Sequence, residues 1–498
     1  LTIAVRTGAM DEMIENSRPR LTFTLANGAT TAADTGRARV VTETLFDTPD
    51  ARLRAAGLSA RIVADGGRLT RRLGPWPRQS PTRQWPDARV EANVIKAIEL
   101  PEDFRARADL RNDDSLEPII EIILEHRPRA FAHSEGGVHA ETVNGRIEAG
   151  GARIDIHEAT LERTSGRPAD LFVAARAFQA SEPMRVEFAS HAEKGALLRA
   201  GQWGEPVGKI QPDLRASMNV VEAFVAIAHA CLRQLSLNQP AFNAMHRIEA
   251  VHQARVAIRR LRSALSLFAP VLRDGAFDRL RAELKWLFEI LGAARDLDVL
   301  LENLELATPE QRADIEARAR AAHIAAAQAV VSPRVDTLLF DLAEWIAAGA
   351  WRRARAPRAL RDRGLSIGRF AARRLDRRHA TVTHGARGFD GLDDTALHAL
   401  RVEVKKLRYM VEFLEPLALG DKARRRFGRG VESLADLQET LGKIHDIDMG
   451  ALILAGAGDE PAAAIVLPAP AVDRDALLKR ARREARAVVA AKPFWTLI

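Results

Sequence analysis

The sequence predicts a chain in two parts: an N-terminal α+β unit with antiparallel strands and a C-terminal all-α unit that is internally duplicated. Three observations lead there. Residues 1–205 read as short alternating segments broken by Gly-Gly pairs, whereas long 3.6-period patterns take over from about Ser217. Two helical segments repeat one another: His252-Gln-Ala-Arg255-Val-Ala-Ile-Arg259-Arg260-Leu-Arg262 and His398-Ala-Leu-Arg401-Val-Glu-Val-Lys405-Lys406-Leu-Arg408. A second matched pair follows, Leu291-Gly292-Ala-Ala-Arg295-Asp296-Leu297-Asp298 and Leu441-Gly442-Lys443-Ile-His445-Asp446-Ile447-Asp448. The offsets, 146 residues from His252 to His398 and 150 from Leu291 to Leu441, describe one helical unit present twice with a small insertion. The expected domains are 1–205 and 213–498, the second as two pseudo-symmetric helical repeats, with a linker over Gly201–Pro212.

In the first part, strands are expected at Leu1–Arg6, Arg20–Leu25, Arg39–Phe46, Ser59–Ala64, Val90–Ile95, Val138–Val143 and Ala152–Glu162, where apolar and polar residues alternate. Gly66-Gly67, Gly136-Gly137 and Gly150-Gly151 mark turns. Helices are expected around Leu116–Glu125 and Pro168–Phe178. In the second part, helices are expected at roughly 217–236, 246–270, 276–304, 309–329, 333–349, 358–380, 393–415, 422–455 and 472–491, with an Ala/Pro-rich connection over Pro461–Pro470. Apolar residues at 251, 254, 258, 261, 265 and 268 alternate steps of three and four, as do those at 397, 400, 404, 407, 411 and 414. Each set is a core-facing seam.

The chain has 498 residues and 47% hydrophobic content, enough for ordinary cores. No apolar run reaches the roughly 20 residues of a membrane span, and no signal-type N-terminus is read. The only cysteine, Cys231, excludes an intrachain disulfide and fits a reducing cytoplasm. Residues 1–210 carry 29 Lys and Arg against 30 Asp and Glu; the remainder carries 45 against 36. The whole basic excess therefore lies in the helical part, which points to an anionic partner there.

The repeated segments give that partner a surface. Basic groups follow each histidine at offsets of three, seven, eight and ten. With His252 at 0°, Arg255, Arg259 and Arg262 fall at about 300°, 340° and 280°, beside a seam centred near 210°; Arg260 lies apart, near 80°. Groups at a seam's edge are partly desolvated, which strengthens their attraction to an anion. Arginine offers forked donors that match phosphate oxygens, and histidine adds a donor whose charge depends on pH. Asp296 and Asp298, like Asp446 and Asp448, fit two roles: orienting stripe arginines across the bundle, or ligating a metal. The first is preferred, because carboxylates two apart on a helix diverge.

These segments resemble the CHAD family, named for a conserved-histidine α-helical domain, over roughly 217–455. The resemblance implies an all-helical domain of two pseudo-symmetric bundles whose basic surface binds inorganic polyphosphate without a cofactor. It assigns His252, Arg255, Arg259, Arg260 and Arg262 to that surface from one copy, and His398, Arg401, Lys405, Lys406 and Arg408 from the other. It also assigns Lys285, Arg295 and Lys443. Association with polyphosphate or other storage granules in the cytoplasm is the matching expectation.

Leu45–Ile62, with Ile156–Phe172 and Ser190-His191-Ala192-Glu193-Lys194-Gly195, resembles the CYTH family, whose fold is an antiparallel β-barrel forming a triphosphate tunnel. That family opens with a Glu-x-Glu-x-Lys strand whose carboxylates help hold divalent metal on a triphosphate. Here the corresponding strand reads Thr2-Ile3-Ala4-Val5-Arg6, so both acids are absent. Glu158 and Glu162 remain as acids, and Arg6, Arg61 and Arg72 as bases. Positioning Mg²⁺ or Mn²⁺ for phosphoryl hydrolysis needs carboxylates, so a tunnel that binds phosphate or triphosphate without hydrolysing it is expected. The alternative is a metal-dependent inorganic triphosphatase. His133 and His139 fit no zinc spacing, and no metal site is assigned. Nucleic acid is the rival polyanion, disfavoured because the stripes carry no interleaved stacking aromatics.

Overall fold

The computed structural model describes residues 20–25, 36–76, 85–129, 137–181, 184–243, 248–302, 309–418, 420–455, 474–491 and 493–495. The strand expected at Leu1–Arg6, with Arg6 itself, lies outside the described residues, as do His133 and the Pro461–Pro470 connection. The chain divides into two compact units. The first comprises Leu1–Val207, Ser236–Arg247 and Val331–Gly349; the second comprises Gly208–Leu235, Ile248–Val330 and Ala350–Ile498. Segments 236–247 and 331–349 thus belong with the N-terminal unit, although both lie beyond residue 213 in the sequence.

Among the described residues the first unit is built on nine antiparallel strands: β1 (Arg20–Leu25), β2 (Arg39–Asp47), β3 (Leu58–Asp65), β4 (Arg68–Pro75), β5 (Ala88–Val90), β6 (Glu117–Arg129), β7 (Val138–Ala149), β8 (Ala152–Arg163) and β9 (Met184–Val186). Their order in the sheet is β5-β4-β3-β2-β6-β7-β8-β1-β9. Short helices α1 (Arg52–Ala55) and α2 (Glu102–Arg107) accompany α3 (Pro168–Ser181), α4 (His191–Arg199) and α9 (Pro333–Ala348). Gly66 and Gly67 have φ of 55° and 78°, the left-handed pair that a two-residue hairpin needs, and they join β3 to the unforeseen strand β4.

Three expectations are corrected here. The helix around Leu116–Glu125 is strand β6, in which Ile120, Ile122, Leu124 and His126 are buried on one face at period two. β-branched Ile at that spacing belongs to a pleated surface, and the short apolar run concealed the alternation. The strand at Val90–Ile95 is confined to β5, which ends at Val90. The helix at 358–380 is two helices, because Ser366 turns extended, pairs with Asn219, and leaves the Ile367 amide to donate to the Met218 carbonyl at 3.0 Å.

Strand alternation sorts the sheet into two faces. Leu21 and Phe23 point to one side, where Phe23 stacks on Phe340 of α9 and Phe172 of α3 meets the same ring edge-on. The opposite side carries Arg20, Thr22 and Thr24 in register with Glu162, Thr160 and Glu158 of β8. Its apolar section, including Leu45, Ile120, Ile122 and Ile147, is covered by Ala192 and Leu198 of α4. Ser190 caps α4 in a reciprocal capping box with Glu193.

The second unit is helical: α5 (Val220–Asn243, to Leu235), α6 (Ile248–Leu272), α7 (Phe277–Glu302), α8 (Pro309–Val330), α10 (Pro357–Arg363), α11 (Ile367–Arg387), α12 (Asp394–Glu412), α13 (Asp421–Ala455) and α14 (Arg474–Ala490). All twelve seam positions of α6, α12 and the turn after α12 are buried. At about 1.5–3 kcal/mol per large apolar side chain, each seam contributes roughly 10 kcal/mol toward holding its helix in the bundle. α6 packs on α7, α12 packs on α13, and α6 meets α12, so the duplicated pairs are joined through their stripe helices. Among the described residues one helix, Val220–Phe242, is long and apolar enough to cross a membrane by length and composition, and 83% of its apolar window is buried inside the protein, as in a core helix.

Candidate anion-binding site

The stripe residues of α6 and α12 converge where these helices meet. The Arg259 guanidinium lies 5.0 Å from the centre of the Tyr409 ring, and Arg408 lies 4.5 Å from the same ring. Phe288 of α7 is likewise shared, by Arg255 at 4.9 Å and Arg262 at 4.8 Å. These rings hold guanidinium groups in place without neutralising them. Arg259 has no ion pair among the described residues, and its Nε is buried without an acceptor. Burial, then the nearby Arg255, Arg408 and Arg401, hold its guanidinium below the ordinary arginine range, against the opposing effect of Tyr409. Arg262 is lowered too, chiefly by burial.

The repeated Leu-Gly motif lies beside the first arginine of each stripe. A Cβ on Gly292 would lie 3.5 Å from Arg255 Nη2, and one on Gly442 would lie 3.9 Å from Arg401 Nε. In both repeats the arginine thus lies over a glycine of the neighbouring helix, at a distance where a Cβ would make ordinary contact. The histidines complete the pattern. His398 and His445 approach with their Nδ1 atoms 3.2 Å apart. Burial, Arg401, His398 and Lys405 push His445 down to about 4. His252 is also lowered, by burial first and by Arg295, Arg259 and Arg255, against Glu249. His398 is lowered by burial, Arg401 and Lys405.

Other assigned residues take different places. Arg260 is 2% exposed and turned inward, donating to Gln234 Oε1 at 3.0 Å and the Ile210 carbonyl at 2.8 Å. Its assignment to the binding surface is therefore corrected: although it lies apart from the seam on the wheel, its flank of the helix is buried too, with Ser263, Ala264 and Leu267, and a cation there must be fully hydrogen-bonded. Lys406 pairs with Glu403 at 2.7 Å, and Glu403 also takes Arg378. Arg408 donates to Gln438 at 2.9 Å and pairs with Glu412. Lys285 and Lys443 are exposed and pair one turn along their helices with Glu289 and Glu439. Arg295 lies half-buried near His252, and Lys405 beside His398 and His445. Asp296 pairs with Arg255 at 3.1 Å, the orienting role, but Asp298 is buried against His323 at 2.7 Å. The Asp446 and Asp448 side chains lie outside the described part of the structure. Sequence reasoning missed Tyr409 and Phe288, the rings that hold the stripe.

The first unit's polar face has a different character. Glu158 is 1% exposed and accepts from Lys194 Nζ at 3.0 Å and His191 Nε2 at 2.9 Å. Lys194 also pairs with Glu187 at 2.9 Å. Despite burial, Lys194 and His191 hold the Glu158 carboxyl below its ordinary range, and Glu158 and Glu187 hold the Lys194 ammonium above its own. Lys194 and Glu158 line a cavity of about 430 Å³ with Thr24, His157, Glu187 and Ser236. Glu162 pairs with Arg20, Arg61 with Glu43, and Arg72 with Asp87. Each of these acids is bound to a cation of the protein, and no group of three metal-ligating side chains occurs among the described residues. This set of pairs does not fit a resident divalent ion.

Comparison with known proteins bears on the helical unit. The family model described as CHAD domain matches residues 226–455. The CHAD domain of the plant Ricinus communis is 31% identical, with 58% of this chain and 92% of that chain covered and a TM-score of 0.45. PptA from Streptomyces chartreusis is 17% identical, with 54% and 96% covered and a TM-score of 0.37. The Hippeastrum protein HpAC1, whose structure is described as revealing a dominant triphosphatase activity, is 13% identical, with 37% and 97% covered and a TM-score of 0.28. No curated protein matches the chain.

Proposed function

This chain belongs to the CHAD domain family through residues 226–455, and from that membership we propose that its helical unit binds inorganic polyphosphate. The grip is formed by Arg255, Arg259 and Arg262 of α6 with Arg401 and Lys405 of α12, while His252, His398 and His445 add donors at its edge. One observation carries the reading: Arg259 sits on a tyrosine ring without a carboxylate, beside three further guanidinium groups. Clustered, partly desolvated positive charge is costly in the free protein and is relieved by an anion that supplies oxygens to several donors at once. A chain of linked phosphates does this along a stripe.

The test is titration of long-chain polyphosphate into the full chain and into a variant with Arg255, Arg259, Arg401 and Lys405 all changed to Glu. Binding should be lost in the variant and should weaken steeply with salt in the parent. Equal binding by both would remove the proposal. Duplex DNA at physiological salt competes if the surface is a general polyanion scaffold and fails to compete if linked phosphates are recognised.

For the sheet unit we propose phosphate binding without hydrolysis. The supporting observation is that Lys194 already occupies the position between Glu158 and Glu187 where a cation would neutralise them. Phosphate release from triphosphate with Mg²⁺ or Mn²⁺, abolished by Glu158→Gln, would overturn it in favour of a triphosphatase.

A further inference from the structure

A second basic site lies in the helical unit away from both stripes. A cavity of about 670 Å³ is lined by Arg358, Arg361, Arg373, Arg374 and Arg377, with Asp362 the one acid in its wall. Its volume falls within the roughly 300–1,000 Å³ of small-ligand sites. Two helices build it by the same geometry. Arg358, Arg361, Asp362 and Leu365 recur at helical spacing along and just beyond α10, and Phe370, Arg373, Arg374 and Arg377 recur along α11. Each element therefore turns one face to the cavity, and the two together line it.

The apolar part of the wall fixes one arginine. Pro270 sits inside α6 and has no N–H, so the Ser266 carbonyl lacks its helical donor. Arg374 Nη2 approaches that carbonyl at 3.4 Å, and its Nε donates to the Leu267 carbonyl at 3.1 Å. Arg374 is thus a fixed, half-buried charge. The other four arginines are exposed and have no side-chain hydrogen bond or ion pair among the described residues. Five guanidinium groups against one carboxylate form a strongly positive bowl with Phe370 and Pro270 in its wall. A merely solvated basic face would lie along one helix, whereas these charges come from two elements that line one cavity.

We propose that this cavity binds a compact, multiply charged phosphate anion of the triphosphate class, independently of the stripes. It shares no residue with them, so it stands whether or not they hold polyphosphate. Forked donors from two helices around one cavity suit an anion whose oxygens point in several directions, in contrast to the extended thread that a single stripe favours.

The test uses the full chain and inorganic triphosphate as the probe. Arginine-specific labelling with phenylglyoxal, read residue by residue by mass spectrometry, should slow by about 10-fold at Arg373 and Arg377 under saturating triphosphate, the protection expected when binding occludes about nine sites in ten. Labelling at Arg483 and Arg486 of α14, which are exposed and outside the cavity, should be unchanged. Isothermal titration supplies the second arm: Arg373→Ala with Arg377→Ala should weaken one class of triphosphate sites about 10-fold or more, as loss of two charge-assisted contacts requires. Arg483→Ala with Arg486→Ala, which removes the same net charge, should leave that class intact. Unprotected cavity arginines, or equal weakening by the two double variants, would overturn the site. Protection of Arg255 and Arg259 alone would leave the stripe reading standing and eliminate this one.

Discussion

Replacing Arg259 by methionine should stabilise the free protein while weakening its hold on polyphosphate. Methionine keeps most of the apolar stem against Tyr409, so the packing change is small. What is removed is a guanidinium whose Nε is buried without an acceptor and which Arg255, Arg401 and Arg408 oppose. An orphaned buried polar group costs about 1–3 kcal/mol. The attraction between cation and ring, which methionine cannot supply, contributes about 1–2 kcal/mol. With the relief of repulsion between like charges included, the free variant should gain about 1 kcal/mol. A charge-assisted hydrogen bond to bound phosphate is worth about 2 kcal/mol, so affinity should fall about 30-fold. At polyphosphate concentrations 100 times the parent's Kd, the parent gains about 2.7 kcal/mol from ligand and the variant only about 0.9 kcal/mol. Urea unfolding followed by circular dichroism, with and without polyphosphate, should therefore show the variant ahead without ligand and behind with it. If Arg259→Met is the less stable protein without polyanion, or gains as much from the ligand as the parent does, then the guanidinium serves the fold and the reasoning fails.

Arg260→Ala should do the opposite, costing about 3 kcal/mol or more by removing the donors to Gln234 Oε1 and the Ile210 carbonyl and leaving a void, while the folded fraction binds polyphosphate normally; thermal melting and titration together check this. Gly292→Ala should fold as well as the parent or up to about 1 kcal/mol better, since its Cβ meets Arg255 at ordinary contact distance, whereas Gly292→Leu should displace Arg255 and weaken polyphosphate binding; urea midpoints and titration separate the two effects. His445, at about 4, and His252 and His398, both below their ordinary 6.5, favour the neutral form when folded. Their contribution to stability is full above pH 6.5 and is lost as pH falls toward 4, whereas a bound polyanion offsets Arg401, Lys405, Arg255, Arg259 and Arg295 and raises these pKa values. Binding near pH 5.5 should accordingly take up protons, measured by calorimetry in buffers of different ionisation heat, and absence of uptake would place the imidazoles outside the site.

Much of the architecture could be read from the sequence because it depends on periodicity. The seams of α6 and α12 are buried at every predicted position, and the Gly-Gly pair at 66–67 sits at a hairpin turn. Legibility failed where a neighbour decides. Strand β6 presents Ile119, Ile120, Ile122 and Ile123, a run apolar enough to satisfy either period, and only its pairing with β2 and β7 settles which face is buried. The break at Ser366 depends on Asn219 and Met218, nearly 150 positions earlier in the sequence. Phe288 was invisible as a site residue for the same reason: nothing local says that a phenylalanine on α7 lies under two arginines of α6. Tyr409 left one available signal, since the chain's only tyrosine directly follows the stripe residue Arg408.

The repeat also overstated the symmetry of the site. Counterparts by position are Arg259 and Lys405, Arg260 and Lys406, Arg262 and Arg408, and, in the second motif, Phe288 and Gln438. In the first copy Arg262 rests on the Phe288 ring, whereas its counterpart Arg408 donates to the Gln438 amide and pairs with Glu412. Arg260 is a buried strut, whereas Lys406 is a surface cation neutralised by Glu403. One spacing thus supports two electrostatic outcomes, set by whether the facing helix supplies a ring or an acceptor. A ring leaves the charge available to a ligand, whereas a carboxylate consumes it. The uncompensated positive charge is concentrated on the α6 side and reaches α12 chiefly through the shared face of Tyr409. Sequence duplication therefore locates the surface, but the partner beneath each cation determines how much of its charge remains for an anion.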